Sequence, residues 1–309
     1  MSTGVYQKTS GDLITDALRA ANITGTDMPV EASDFSQAFT ALNDILASLQ
    51  TKQIHIWSET EAFLPLNPND QSYDLGVGGD HCFTDYVTTT VSVVAASGAT
   101  SIDVGSTTGM TAGDNIGVEL DDGTRQWTTI DTVTDANTLV LDDALTDDIS
   151  VDATVYTYTT GIDQPVRILS VRYANSLTSD EIPTGQISRD EYFNQPSKSS
   201  TGSANSWYYS RQLSMGKFYI WPVAGSCRNI LRFTFIKPQY IPEDQSEDIL
   251  IPPEWYLPLK LKLAAELGLI YAIDPEKQVM LEQKAQNYLE DAMGTDNEFS
   301  SFSFHPCNN

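Results

Sequence analysis

Three histidines, three cysteines and forty-two carboxylates are the side chains of this chain with chemical reach. A serine or cysteine nucleophile needs a base beside it, and only His55, His81 and His305 are available. None of them accompanies a Gly-x-Ser-x-Gly elbow. His55 lies between Ile54 and Ile56, an apolar strand-like setting that suits packing. His81-Cys82 is an adjacent pair, and Cys82, Cys227 and Cys307 have no Cys-x-x-Cys spacing from which to build a zinc site. The three read as free thiols of a reducing compartment. Glu59 with Glu61, and Glu243 with Glu247, are the carboxylate pairs a glycoside hydrolase would use. Among so many acidic residues such pairs also arise from composition alone. Asp142-Asp143 and Asp147-Asp148 lack the calcium-loop pattern with its central glycine and closing glutamate. Gly76-Val77-Gly78-Gly79 lacks the basic residue and following helix of a phosphate-cradling loop. The expectation is a protein with no catalytic residues, no bound cofactor and no metal site.

The elements that would position any site are set by length and charge first. A chain of 309 residues can form more than one domain around a sizeable core. Its formal charge of −25 repels phosphate backbones and anionic lipid, so a nucleic-acid grip is excluded. Enclosing DNA without holding it is compatible with that charge. No run has the apolar length of a membrane span, and Met1–Ser10 lacks the charged-then-apolar layout of a signal peptide.

Helical periodicity marks both ends. Ser10 or Asp12 is placed to cap a helix carrying Leu13, Ile14, Ala17, Leu18 and Ala21, and Ser33 to cap another carrying Phe35, Ala38, Phe39, Leu42, Ile45, Leu46 and Leu49. Ala62–Leu66 and Ser72–Leu75, joined through Asn67-Pro68-Asn69-Asp70, predict a β-hairpin. At the far end Pro252-Pro253 lead into a stripe of Trp255, Leu259, Leu263, Leu267 and Ile270, with a kink or later start because of Pro258. Asp274-Pro275-Glu276 restarts a helix bearing Leu281, Ala285, Tyr288, Leu289 and Ala292, which Gly294 is expected to stop. Two amphipathic helices cannot bury both stripes alone, so the front helices are their expected partners.

Between Thr84 and Thr160 the pattern changes to short alternating runs rich in Thr, Val, Asp and Gly. Val91–Val94, Ser101–Val104, Asn115–Leu120, Gln126–Val133, Thr138–Leu141 and Thr154–Tyr158 predict strands, with a hairpin turn at Asp121-Asp122-Gly123. Thirteen acidic residues stand here against Arg125 alone. This reads as an inserted β-domain, barrel or sandwich, with an acidic exterior. Val166–Tyr173, Trp207–Ser210, Lys217–Trp221 and Asn229–Ile236 predict further strands, and Ser188–Phe193 a short helix. The tail Thr295–Asn309 carries Phe299, Phe302 and Phe304, the last two alternating with serine, which suits an extended segment docking on a partner.

Three stretches together resemble one family. They are Ala38, Leu42, Asn43 and Leu46 with the following Trp57 and Tyr73-Asp74-Leu75-Gly76; Trp207-Tyr208-Tyr209 with Gly216-Lys217-Phe218-Tyr219-Ile220-Trp221-Pro222; and Ile251-Pro252-Pro253-Glu254-Trp255 with Leu263-Ala264. Their order is similar to that of the head-completion adaptors, or tail accessory factors, of short-tailed bacteriophages. The resemblance covers roughly Leu13–Leu75 and Val166–Met293 and skips the inserted domain. It implies a homo-oligomeric ring, twelvefold in the family, beneath the portal protein of the head and above the tail nozzle or hub. The C-terminal segment of the family reaches the portal, which makes Phe299, Phe302, Phe304, Tyr288 and Leu289 the candidate portal contacts.

The sequence therefore predicts an α+β chain. Residues 1–83 and 161–293 would form an adaptor core, a helical bundle built from N- and C-terminal helices with β-hairpins and strands. Residues 84–160 would form the inserted all-β domain, and residues 294–309 an extended portal-docking tail. The implied place is the virion neck, with host cytoplasm during assembly, and possible neighbours include tail fibre proteins. Two other readings stand beside it: a carbohydrate- or receptor-binding tail protein stacking ligand on Trp127, Tyr156 and Tyr158, and a cell-wall hydrolase using a carboxylate pair.

Overall fold

The structure, a computed structural model, describes residues 7–25, 28–49, 58–175 and 180–295. In chain order it contains α1 (Ser10–Ala20), α2 (Ala32–Leu49), β1 (Glu59–Pro65) and β2 (Ser72–Leu75). Then come β3 (Val87–Val93), β4 (Ser101–Val104), β5 (Asn115–Glu119), β6 (Arg125–Val133), β7 (Thr138–Leu141) and β8 (Thr154–Tyr158). These are followed by β9 (Arg167–Asn175), β10 (Glu181–Pro183), β11 (Gly185–Gln186), α3 (Arg189–Phe193), β12 (Ser206–Arg211), β13 (Gly216–Trp221) and β14 (Asn229–Ile236). A 3-10 turn, Pro253–Trp255, leads to α4 (Tyr256–Ile270) and α5 (Pro275–Thr295). The chain divides into two compact units, Met1–Ser58 with Gln239–Asn309, and Glu59–Pro238.

In the first unit, α1, α2, α4 and α5 share one apolar core. The α1 cap is Thr9, whose hydroxyl accepts the Asp12 amide, and not Ser10 or Asp12. Ser10 is the first helical residue; it is buried and donates its hydroxyl to the Asp244 carbonyl (2.9 Å). α2 begins at Ala32, so Ser33 lies inside the helix and does not precede it. Its buried face is Ala38, Ala41, Leu42, Ile45, Leu46 and Leu49, while Phe35 and Phe39 stay half-buried and stack on each other.

The α4 helix departs from a one-faced stripe. Tyr256, Leu261, Ala264 and Ala265 are buried along with the predicted Leu259, Leu263 and Leu267, because α1, α2 and α5 all pack on it. Ile270 is left exposed. Pro258 falls in the first turn, where its missing amide costs no internal hydrogen bond, so the helix simply begins at Tyr256. Asp274 accepts the amides of Glu276 and Lys277, as an N-cap should. Leu281, Ala285, Leu289 and Ala292 line the buried stripe of α5, and Tyr288 lies off it. Gly294 does not stop α5, which runs on to Thr295.

The second unit holds two four-stranded sheets and a closed barrel. The sheets run β1-β14-β9-β10 and β11-β12-β13-β2, and the barrel runs β3-β4-β7-β6-β5-β8. The predicted β1–β2 hairpin is not formed: β1 pairs with β14, β2 pairs with β13, and the two strands lie in different sheets. The Asn67–Asp70 turn carries the chain from one sheet to the other, and the Tyr73 hydroxyl holds the turn through the Asn67 amide and carbonyl. The physical reason is burial. Ala62 and Leu64 of β1 face the same core as Tyr73 and Leu75 of β2, with Phe218, Leu231, Phe233 and Phe235 between them. The two sheets are thus the layers of a sandwich.

Five of the six barrel strands fall within a residue of where alternation placed them, β3 begins at Val87, four residues before the expected Val91, and every strand pair is antiparallel. Val91, Ile102, Val104, Ile116, Val118, Ile130, Leu139, Leu141 and Val155 fill its interior. Gly123, at φ 86°, turns the β5–β6 hairpin. The barrel lies within the predicted 84–160 segment, but the compact unit begins at Glu59 and ends at Pro238, because sandwich and barrel share an aromatic cluster. Strands β10 and β11, which sequence periodicity did not mark, cross from one sheet to the other through Pro183 and Thr184.

Candidate functional site

Barrel carboxylates are held by hydroxyls and amides. Asp114 accepts the Thr111 amide (2.7 Å), the Thr111 hydroxyl (3.0 Å) and the Thr159 hydroxyl (2.8 Å). Asp122 accepts the amide and hydroxyl of Thr124, which holds its pKa below the ordinary value. Asp135 is held down in the same way by the amides of Asn137 and Thr138. Asp142 and Asp143 accept the hydroxyls of Thr129 and Thr128, and Asp148 accepts the Ser97 amide. The acidic pairs of the sequence therefore tie loops to strands. Among the described residues no three His, Cys, Asp or Glu side chains converge as a metal site.

The seam between barrel and sandwich is aromatic. Phe63 of β1 stacks on Phe83 and lies against Tyr86 and Tyr156. Phe83 also stacks on Tyr158 (4.5 Å). His81 lies flat on Trp127 (4.0 Å, 9°), and its Nδ1 is 2.7 Å from the Tyr158 hydroxyl. Burial lowers the His81 pKa to about 4 and pushes Tyr158 up to about 12. Trp127 crosses over Gly117, where a Cβ would come within 2.6 Å of the indole. Tyr156 and Tyr158 are buried, so of the three aromatics considered for stacking a sugar only Trp127 is part-exposed, and His81 covers it.

A polar cluster fastens the same seam. Glu119 is 5% exposed and accepts the amide and hydroxyl of Thr154 and the Arg228 guanidinium. Burial alone would raise its pKa, but these donors outweigh it and hold the carboxyl below its usual range. Arg125 is buried over the Tyr156 ring (4.6 Å) and donates to the Thr154 hydroxyl. Cys82 and Cys227 are buried free thiols whose pKa values burial raises, which makes them poor nucleophiles.

The predicted carboxylate pairs are otherwise engaged. Glu61 binds Arg172. Glu247 accepts the Tyr240 hydroxyl (2.6 Å) and the Glu243 amide (2.9 Å), so it braces a turn. Of the candidate portal contacts, Phe299, Phe302 and Phe304 lie outside the described residues, as do His55, His305 and Cys307. Tyr288 is exposed on α5, whereas Leu289 is buried in the helical core. In the same unit α2 and α4 border a trough of about 580 Å³, lined by Thr40, Ala41, Asp44, Ile45, Glu266 and Ile270 among others. No helix of the described residues is long and apolar enough to cross a membrane.

Sequence reading missed the seam residues His81, Phe83 and Arg228. The available signal was the run of aromatics just before the barrel and inside β8, which exceeds what the small barrel interior holds.

No family model matches the chain, and no curated protein matches it either. Among solved structures it is similar to VP17, a capsid protein of bacteriophage P23-77, at 12% identity. That match covers 61% of this chain and 77% of VP17, with a TM-score of 0.12. Overlap at that level carries no structural argument.

Proposed function

We propose that this chain is a structural, non-enzymatic adaptor of a short-tailed phage virion. It forms a ring under the portal, completes the DNA-filled head and presents a platform for tail components. The observation that carries this reading is that helices from the two ends of the chain share one core, which we read as the bundle of an adaptor. Two of the three stretches on which the family resemblance rests contribute to it, through Leu42, Leu46, Trp255 and Leu263.

Charge supports the same reading. A ring of copies each carrying −25 would surround DNA with a repelling wall and let it pass without adhesion. The aromatic seam packs the barrel against the sandwich, which suits a part offered to tail fibres or capsid. Phe299, Phe302 and Phe304 would anchor the tail on the portal, which leaves the exposed Tyr288 of α5 for contacts within the ring. Leu289 would act indirectly, by seating α5 in its core.

Electron microscopy of the full chain mixed with the portal protein tests this. A ring added below the portal is expected, and replacing all three phenylalanines with serine should abolish it. A portal that gains no ring from the parent chain overturns the reading.

A further inference from the structure

The α5 helix carries a second stripe besides its buried one. Lys277, Met280, Lys284 and Tyr288 recur at three- and four-residue steps and so share a face. Met280 and Tyr288 are 45% and 42% exposed, so this face is apolar and cationic together. Neither lysine has an ion-pair partner among the described residues, in a chain with 25 more negative than positive charges. Glu276 and Asp291 stand at the two ends of the stripe, four residues before Met280 and three after Tyr288, while Glu282 and Glu290 fall on other faces.

The trough between α2 and α4 has the complementary character. Its floor includes the buried Ala41 and Ile45 with the exposed Ile270 at one end, and Asp44 and Glu266 line it, with Lys262 as its one cation. Asp44 and Glu266 likewise have no ion-pair partner among the described residues.

We propose that the Lys277–Tyr288 stripe of one copy lies in the α2–α4 trough of a second copy. Met280 and Tyr288 cover the apolar floor, and the lysines meet Asp44 and Glu266. Stripe and trough are different surfaces of one unit, so the contact is head to tail. Repeated with a closing rotation, it makes a ring. The inference rests on the ring-forming adaptor reading and names the faces that would join the copies.

Two charge-reversed full chains test it. One carries Lys277→Glu with Lys284→Glu, and the other Asp44→Lys with Glu266→Lys. Association is followed by sedimentation, alone and on the portal, after thermal melts establish that each variant folds like the parent. Each variant alone should associate at least about tenfold more weakly than the parent. An equimolar mixture should recover, since every interface in an alternating ring then pairs opposite charges. Variants that weaken association without recovery in the mixture overturn the proposed pairing. Variants that associate like the parent, while rings still form on the portal, overturn the faces and leave the adaptor reading standing. A parent chain that neither self-associates nor adds a ring removes both.

Discussion

The barrel and the sandwich are joined in one compact unit, yet they carry charge in opposite ways. Residues 84–160 hold thirteen carboxylates and one arginine, whereas residues 59–83 with 161–238 hold ten carboxylates and nine cations. The sandwich uses its cations in ion pairs: Arg172 with Glu61 and Glu181, Arg232 with Glu181, and Lys217 with Asp74. Among the described residues, the barrel's ion pair is the one that leaves it, Glu119 with Arg228. Nine of its other carboxylates, Asp114 and Asp122 among them, accept from threonine and serine hydroxyls or from turn amides, which fix loop geometry without cancelling charge. The difference also extends to edges. Closure removes them from the barrel, while the open sheets block theirs. Phe63 and Phe83 exchange two backbone hydrogen bonds on β1, and Asp80 folds back onto Asp74 on β2.

The comparison breaks most sharply at the seam. Phe63→Ala removes the ring that touches Phe83, Tyr86 and Tyr156, and should cost about 3–5 kcal/mol. It should also split the melting of barrel and sandwich into two transitions, read by calorimetry. A single transition in the variant would mean that the seam is not what couples them.

Next in size is Asp114→Ala, which removes the buried carboxylate that accepts the Thr111 amide and the hydroxyls of Thr111 and Thr159. About 1–3 kcal/mol should be lost, and from the barrel transition alone. An equal shift in both transitions would contradict the division of labour described here.

Acidity sharpens the contrast. His81 has a folded pKa of about 4, below its ordinary 6.5, because it is buried. Between those values the unfolded chain takes up a proton that the folded chain refuses, so stability should fall as pH drops from about 6.5 to about 4. The carboxyls of Glu119, Asp122 and Asp135 are lowered instead, so their contribution is full above their ordinary values, 4.5 for Glu119 and 3.8 for the aspartates, and is lost as pH falls below them. Urea midpoints of the parent and His81→Phe should therefore diverge as pH is lowered across the window. A gap that does not change with pH would remove His81 from the account.

The smallest effect is expected in the sandwich. Lys217→Ala breaks a part-exposed pair with Asp74 at 3.4 Å and should cost no more than about 1 kcal/mol, vanishing at high salt. A loss that survives high salt would show that packing of the lysine stem, not charge, is at work there.

Much of the fold was legible because local pattern and burial agree. Most barrel strands alternate in type, although β8 is buried along its whole length and β5 along nearly all of it, because the aromatic cluster covers their outer sides. The N-terminal helices show their core residues at helical spacing, and the short helix expected over Ser188–Phe193 is formed, with Ser188 and Glu191 closing a capping box at its start. What sequence could not give is long-range choice. Nothing between Glu59 and Leu75 says that β1 will select β14, far along the chain, over the adjacent β2. The α4 helix differs for a related reason: Tyr256, Leu261 and Ala265 lie off the expected stripe and are buried because three neighbouring helices surround them. Glycine commonly ends helices, and at Gly294 the expectation differs from the structure by one residue, since α5 is described through Thr295. The polar side of the site was least legible. Arg228 and Glu119 meet across 109 positions, and in a chain so rich in carboxylates no single one announces its partner.

The base of the barrel has a consequence for ancestry. Its first and last strands, β3 and β8, run side by side, with Val87 opposite Thr157, and beneath them the Ile162 amide closes onto the Cys82 carbonyl at 3.0 Å. A module whose two ends leave through one narrow doorway can be gained, exchanged or discarded by recombination while every rung of the host sheets stays as it was.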